Sequence, residues 1–152
     1  MIELERPADL IPWVGKEIGV SDWSLIDQDK ISRFAELTGD DHWIHVDVER
    51  ASREMPGGKT IAHGFYTLSL IPYLVRSVYR IRVRGKGLNY GLNKIRYTSP
   101  VPVNSRVRLR QTIRAAEMVE GGVRVTSDCV IEIEGQERPA LVAEFLMLVY
   151  DK

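Results

Sequence analysis

The segment GFYTLSLIPYLVRSVY, from Gly64 to Tyr79, constrains the fold more than any other stretch of the chain. It reads as one helix that is apolar nearly all round, and a helix without a polar face has to be buried. Its sixteen residues fall short of the roughly 20 apolar residues needed to cross a bilayer. The rest of the chain must therefore supply its cover. Pro72 lies inside the segment, removes one backbone donor and predicts a kink there.

The cover is legible after Gly85. Val107, Leu109, Gln111 and Ile113 alternate with Arg108, Arg110, Thr112 and Arg114, the period of a half-buried strand. Val123 to Glu134 repeats the alternation, and Gly121-Gly122 marks a hairpin between the two. Gly135-Gln136 marks the next turn. Ala140 to Tyr150 carries a single charge, Glu144, so this strand should be covered on both faces. Leu88 to Tyr97 is a fourth strand, its alternation broken near Lys94 and its end closed by Pro100 and Pro102. A buried helix followed by four long, antiparallel strands predicts an α+β domain with a sheet wrapped on one helix.

The N-terminal half is mixed. Trp23 to Ile26 suits a short strand. Asp27 offers an N-cap to a helix carrying Ile31, Phe34, Ala35 and Thr38 at helical spacing, and Gly39 stops it. Asp40 to Asp47 is dense in polar and aromatic residues and is expected to be irregular. Glu49 to Glu54 suits one or two helical turns, and Pro56-Gly57-Gly58 a turn. There is no repeat, low-complexity tract or linker, so residues 1–152 are read as a single domain.

Twenty-one basic and twenty-one acidic residues give a net charge of zero, which supplies no global argument for nucleic acid or an anionic membrane as partner. The first residues, MIELERPADL, lack the apolar run of a signal peptide, and no stretch suits a membrane helix. A cytoplasmic location is expected. Cys129, the one cysteine, lies in a strand pattern and reads as a buried free thiol.

All three histidines, His42, His45 and His63, fall in one short region with Asp40, Asp41 and Asp47, which makes that region the active-site candidate. Asp40 and His45 are five residues apart. In a bent loop both could face one water, one taking a proton from it and the other delivering one to carbon. Asp40 as a helix cap and His45 as a satisfied structural histidine fit the same pattern. His63-Gly64 sits where the chain enters the apolar helix. There a free N–H could polarise a thioester oxygen, and a glycine lets a ligand approach closely. A glycine needed only for tight packing fits equally. His42 and His45, with the aspartates and His63, could be read as metal ligands, but they match no metal signature, and none is expected. Arg76, Arg80, Arg82, Arg84 and Lys86 form a basic run that could hold phosphates or simply be a solvated face.

Two motifs go beyond pattern. FAELTGDDHWIHVDVERA, Phe34 to Ala51, followed by GGKTIAHGFYTLSL, Gly57 to Leu70, resembles the MaoC-like dehydratases, also called R-specific enoyl-CoA hydratases. DDHWIHVD with AHGFYTLSLIP is more similar to the branch around nodulation protein N, and GLNKIRYTSPVPVNSRVRLR extends the likeness. The resemblance implies a hot-dog fold whose sheet wraps the helix at about 64–79. It implies Asp40 and His45 as the catalytic pair and the Gly64 N–H as holder of the thioester oxygen, with His63 and His42 beside the substrate. His42-Trp43 stands where many members have Asn-Pro. The resemblance further implies a homodimer and an acyl-CoA thioester substrate, with no cofactor beyond the CoA that the substrate carries. The reaction would be reversible hydration of trans-2-enoyl-CoA to (3R)-3-hydroxyacyl-CoA. A hot-dog thioesterase and a non-catalytic acyl-CoA-binding domain are the alternatives.

Overall fold

The alternating segments form one antiparallel sheet in the computed structural model, which describes residues Met1–Lys152. Four strands are short: β1 (Ile2–Leu4), β2 (Lys16–Val20), β3 (Ser24–Ile26) and β4 (Tyr79–Ile81). Four are long: β5 (Gly87–Tyr97), β6 (Ser105–Val119), β7 (Gly122–Ile133) and β8 (Leu141–Tyr150). The sheet order is β2-β6-β7-β8-β5, with β3 also pairing with β6. Val107, Leu109 and Ile113 are buried on one face of β6. On the other face Arg108 and Arg110 donate to Glu132 of β7 at 2.6 and 2.8 Å. The two-residue period thus separates core from ion pairs. Cys129 is buried in β7, where desolvation pushes its thiol up to about 12.

The helices lie against the sheet and over its end. They are α1 (Gln28–Thr38), α2 (Trp43–Val46), α3 (Val48–Glu54), α4 (Gly64–Ser69) and α5 (Ile71–Val78). Asp27 caps α1 by accepting from the Lys30 N–H at 2.9 Å, and Gly39 ends it in the left-handed conformation at φ 79°. The polar stretch 40–47, expected to be irregular, contains the single turn α2, because the His42 side chain accepts from the Ile44 N–H and starts a helix there.

The apolar segment 64–79 departs from expectation in two ways. It is two helices, not one kinked helix, and Tyr79 already belongs to β4. Pro72 cannot donate to the carbonyl four residues back, so the chain tightens before it: the Leu70 N–H donates to Thr67 O, and α5 restarts with Pro72 in its first turn. The segment is also not buried all round. Tyr66, Thr67, Ile71, Leu74 and Val78 are buried, whereas Phe65 is 69% exposed and Tyr73 58%. Phe65 lies beside β5, an edge strand whose residues are nearly all exposed, whereas Tyr73 lies beside Asp22 and Trp23.

The N-terminal residues, to which the sequence assigned no elements before Trp23, close the other side. β1 pairs with β4 in parallel, the one parallel pairing of the fold. A 3₁₀ turn over Pro7–Trp13 sets Leu10, fully buried, into the core. A sheet wrapped over the 64–78 helices is the hot-dog arrangement. No helix is long and apolar enough to cross a membrane.

Candidate active site

Two crossing segments hold His45. Its main-chain carbonyl accepts from Gln28 Nε2 at 2.8 Å, and Gln28 Oε1 accepts from the buried Thr60 hydroxyl at 2.6 Å. This ties the start of α1 to α2 and to the strand-like run 60–62. That run is fixed in turn by Ile61 N–H to Ile44 O and Ala62 N–H to Val101 O. The His45 ring donates from Nδ1 to the Ile61 carbonyl at 2.7 Å. A carbonyl only accepts, so Nδ1 carries the proton and Nε2 presents a bare lone pair. His45 is 8% exposed, and desolvation holds its pKa below the usual 6.5. The Ile61 carbonyl opposes that shift, and His63 reinforces it.

Asp40 follows the left-handed Gly39 that ends α1 and is exposed. It approaches His45 and His63 so that one ligating atom from each of the three lies within 4.8 Å of the others. The rings of His45 and His63 are stacked, centroids 3.8 Å apart at 23°. One nitrogen of each ring, His45 Nδ1 and His63 Nε2, is already taken by a main-chain carbonyl.

His45 and Gly64 line one cavity of about 430 Å³ together with Phe65, Tyr97 and Thr98. Gly64 is the first residue of α4, so its N–H has no intrahelical acceptor. His42 does not line this cavity; it is exposed and caps α2. His63 is 2% exposed and lies behind His45, its Nε2–H donating to the Asp40 carbonyl at 2.8 Å. The structure thus gathers Asp40, His45 and His63, joins His45 to Gly64 in the cavity, and leaves His42 outside. Gln28, Thr60 and Tyr97 escaped the sequence reading. Nothing in their local pattern distinguishes them, since each meets the site through a contact distant in sequence.

A larger hollow, about 930 Å³, opens at the other end of β5 and is lined by Arg76, Arg80, Arg84 and Tyr79 among others. It contains no acid–base pair, so the smaller cavity is the candidate reaction centre. Of the basic run, Arg82 pairs with Glu5 at 3.5 Å.

Residues 11–132 match the family described as MaoC like domain. The chain is 45% identical over 148 residues to 3-hydroxyacyl-thioester dehydratase Z of Mycobacterium tuberculosis, covering 97% of each. It is 42% identical over 144 residues to nodulation protein N of Rhizobium leguminosarum bv. viciae, covering 93% of this chain and 89% of the relative. Among solved structures it is similar to the R-hydratase PhaJ1 of Pseudomonas aeruginosa, with a TM-score of 0.73 at 19% identity over 91% of this chain and 83% of that one. The (R)-hydratase of A. caviae gives a TM-score of 0.70 at 19% identity, over 88% and 94% of the two chains. The chain therefore belongs to the MaoC-like dehydratase family and is an enzyme of the hydratase/dehydratase class.

Proposed function

We propose that this enzyme is an (R)-specific enoyl-CoA hydratase that reversibly adds water to a trans-2-enoyl-CoA, and that it works as a cytoplasmic homodimer. The observation that carries the proposal is His45, which has a ring nitrogen within 4.8 Å of an Asp40 carboxylate oxygen, donates from Nδ1 to the Ile61 carbonyl, and lines the cavity that Gly64 also lines. Water held between Asp40 and His45 loses a proton as its oxygen bonds to Cβ. Electron density moves through Cα to the thioester oxygen, where the Gly64 N–H would stabilise the enolate-like charge. A proton then reaches Cα from the acid–base pair, which restores both groups. The R configuration requires that the bound enoyl group turn the corresponding face of its double bond toward Asp40 and His45. No metal or redox cofactor takes part in these steps.

The dimer is supported by the unsatisfied edge of the protomer. β5 has no strand beyond it, and Phe65, Tyr90 and Leu92 leave an apolar band exposed along it. A second copy related by a twofold axis could pair there and cover that band.

The test is loss of enoyl-thioester absorbance from crotonyl-CoA and from a longer enoyl-CoA, with chiral analysis of the product. Formation of (3R)-3-hydroxyacyl-CoA that disappears in Asp40→Asn is the expected result. Release of free CoA would instead identify a thioesterase. Binding without conversion at either chain length would identify an acyl-CoA binder.

A further inference from the structure

His63 is not among the residues lining the cavity, yet it is held closely. Its ring packs against Phe34, centroids 4.8 Å apart, and against His45, 3.8 Å apart. Its Nε2 meets the Asp40 carbonyl at 2.8 Å, and its Nδ1 is buried with no partner at all. The carbonyl only accepts, so Nε2 carries a proton and donates it to Asp40. The Asp40 main chain has otherwise only a long 3.4 Å contact from its N–H to Thr38 Oγ1.

We propose that His63 is a positioning residue: through its Nε2–H it anchors the Asp40 main chain, and through its face it sets the plane of His45, so that the carboxylate and the bare His45 Nε2 are held at one separation. The role rests on the hydratase reading only for its effect on turnover. The anchoring itself is a property of the folded chain. Two substitutions divide the contributions. His63→Phe keeps a flat ring against His45 and Phe34, removes the orphaned nitrogen and deletes the donor to Asp40. His63→Gln deletes the ring but keeps an amide donor at the reach of Nε2.

His63→Phe should stay folded and lose up to roughly 10²-fold in kcat at nearly unchanged KM, the loss expected from a misplaced reacting group. His63→Gln should recover most of that loss. Unchanged kcat in folded His63→Phe would overturn the proposal, as would a rise in KM alone, which would mark a substrate contact, or failure of His63→Gln to recover turnover. An independent arm uses the unmodified protein. Nitrogen NMR of the imidazoles should show a proton on His63 Nε2, hydrogen-bonded to a carbonyl. A bare Nε2 would also overturn it. Absence of turnover in the unmodified enzyme would count against the hydratase reading and leave the NMR result to decide the anchoring.

Discussion

Gly64 and Tyr97 stand so close that a Cβ added to the glycine would lie 2.9 Å from two carbons of the tyrosine ring. Gly64 does not have a left-handed φ, so the need for glycine comes from this approach and not from backbone strain. Both residues line the cavity. Gly64→Ala should therefore displace either the Tyr97 ring or the first turn of α4, moving the N–H proposed to hold the thioester oxygen. The expected outcome is a fall in kcat/KM of up to roughly 10²-fold with a small change in thermal midpoint, because Gly64 is exposed. Steady-state kinetics beside a melting curve would show it. Normal turnover in Gly64→Ala would mean that the Gly64 N–H has no part in the reaction.

Gln28 carries a different load. It donates to His45 O and accepts from Thr60, which is 1% exposed. Gln28→Leu would leave the Thr60 hydroxyl and the His45 carbonyl without these partners. Leaving a buried polar group unsatisfied costs about 1–3 kcal/mol. Chemical denaturation should show a loss of that order, together with lower turnover as His45 loses its hold. A stable variant with full activity would remove Gln28 from the site's framework.

The contrast between these two residues shows how far the sequence could be read. The motifs around Asp40, His45 and Gly64 lie within one short region, so sequence order already suggested a site. The long strands announced themselves through their period, as Val107 to Ile113 does against Arg108 and Arg110. The single turn α2 and the break at Leu70 were not legible, since each depends on one local hydrogen bond or its absence. The exposure of Phe65 and Tyr73 was not legible for another reason: apolar character alone does not say which face of a short helix turns outward. Gln28 and Tyr97 act on the site across long separations in sequence, and no local pattern records that.

Substitution within the pair should separate chemistry from stability. Asp40 is exposed, so Asp40→Asn removes a charge without opening the core. The expected loss in rate is roughly 10²–10⁴-fold, the usual consequence of removing a positioned acid or base. His45→Gln should lose as much. Near-normal rates in both variants would move the reaction centre elsewhere.

The exposed edge leads to a measurement of assembly. Tyr90 is 58% exposed on β5, within the apolar band. If two copies pair along this edge, Tyr90→Glu places two like charges near one another across the twofold axis and strips apolar area from the interface. Sedimentation should show the unmodified protein as a dimer at micromolar concentration and Tyr90→Glu shifted towards monomer. A monomeric unmodified protein would remove the homodimer from the proposal.

The environment of His45 fixes the sign of a pH effect. Desolvation, with His63 and His42, holds its pKa below 6.5 against the opposing Ile61 carbonyl and Asp40. Since the neutral ring is the form that can accept from water, the acid limb of kcat/KM should fall below about 6.5, the ordinary imidazole value. His45→Gln should lack that limb in its residual activity. Stability follows the same linkage. In the unfolded chain His45 takes up a proton as pH drops below its ordinary value, whereas the folded chain resists, so the unfolded state binds more protons in that window. The contribution of His45 to stability is therefore complete above about 6.5 and declines as pH falls through the lower folded value. Denaturation of the parent and of His45→Gln at pH 7 and pH 5 should show the parent losing more stability on acidification than the variant. Equal losses would mean that burial of the imidazole leaves its proton affinity as it is in the unfolded chain.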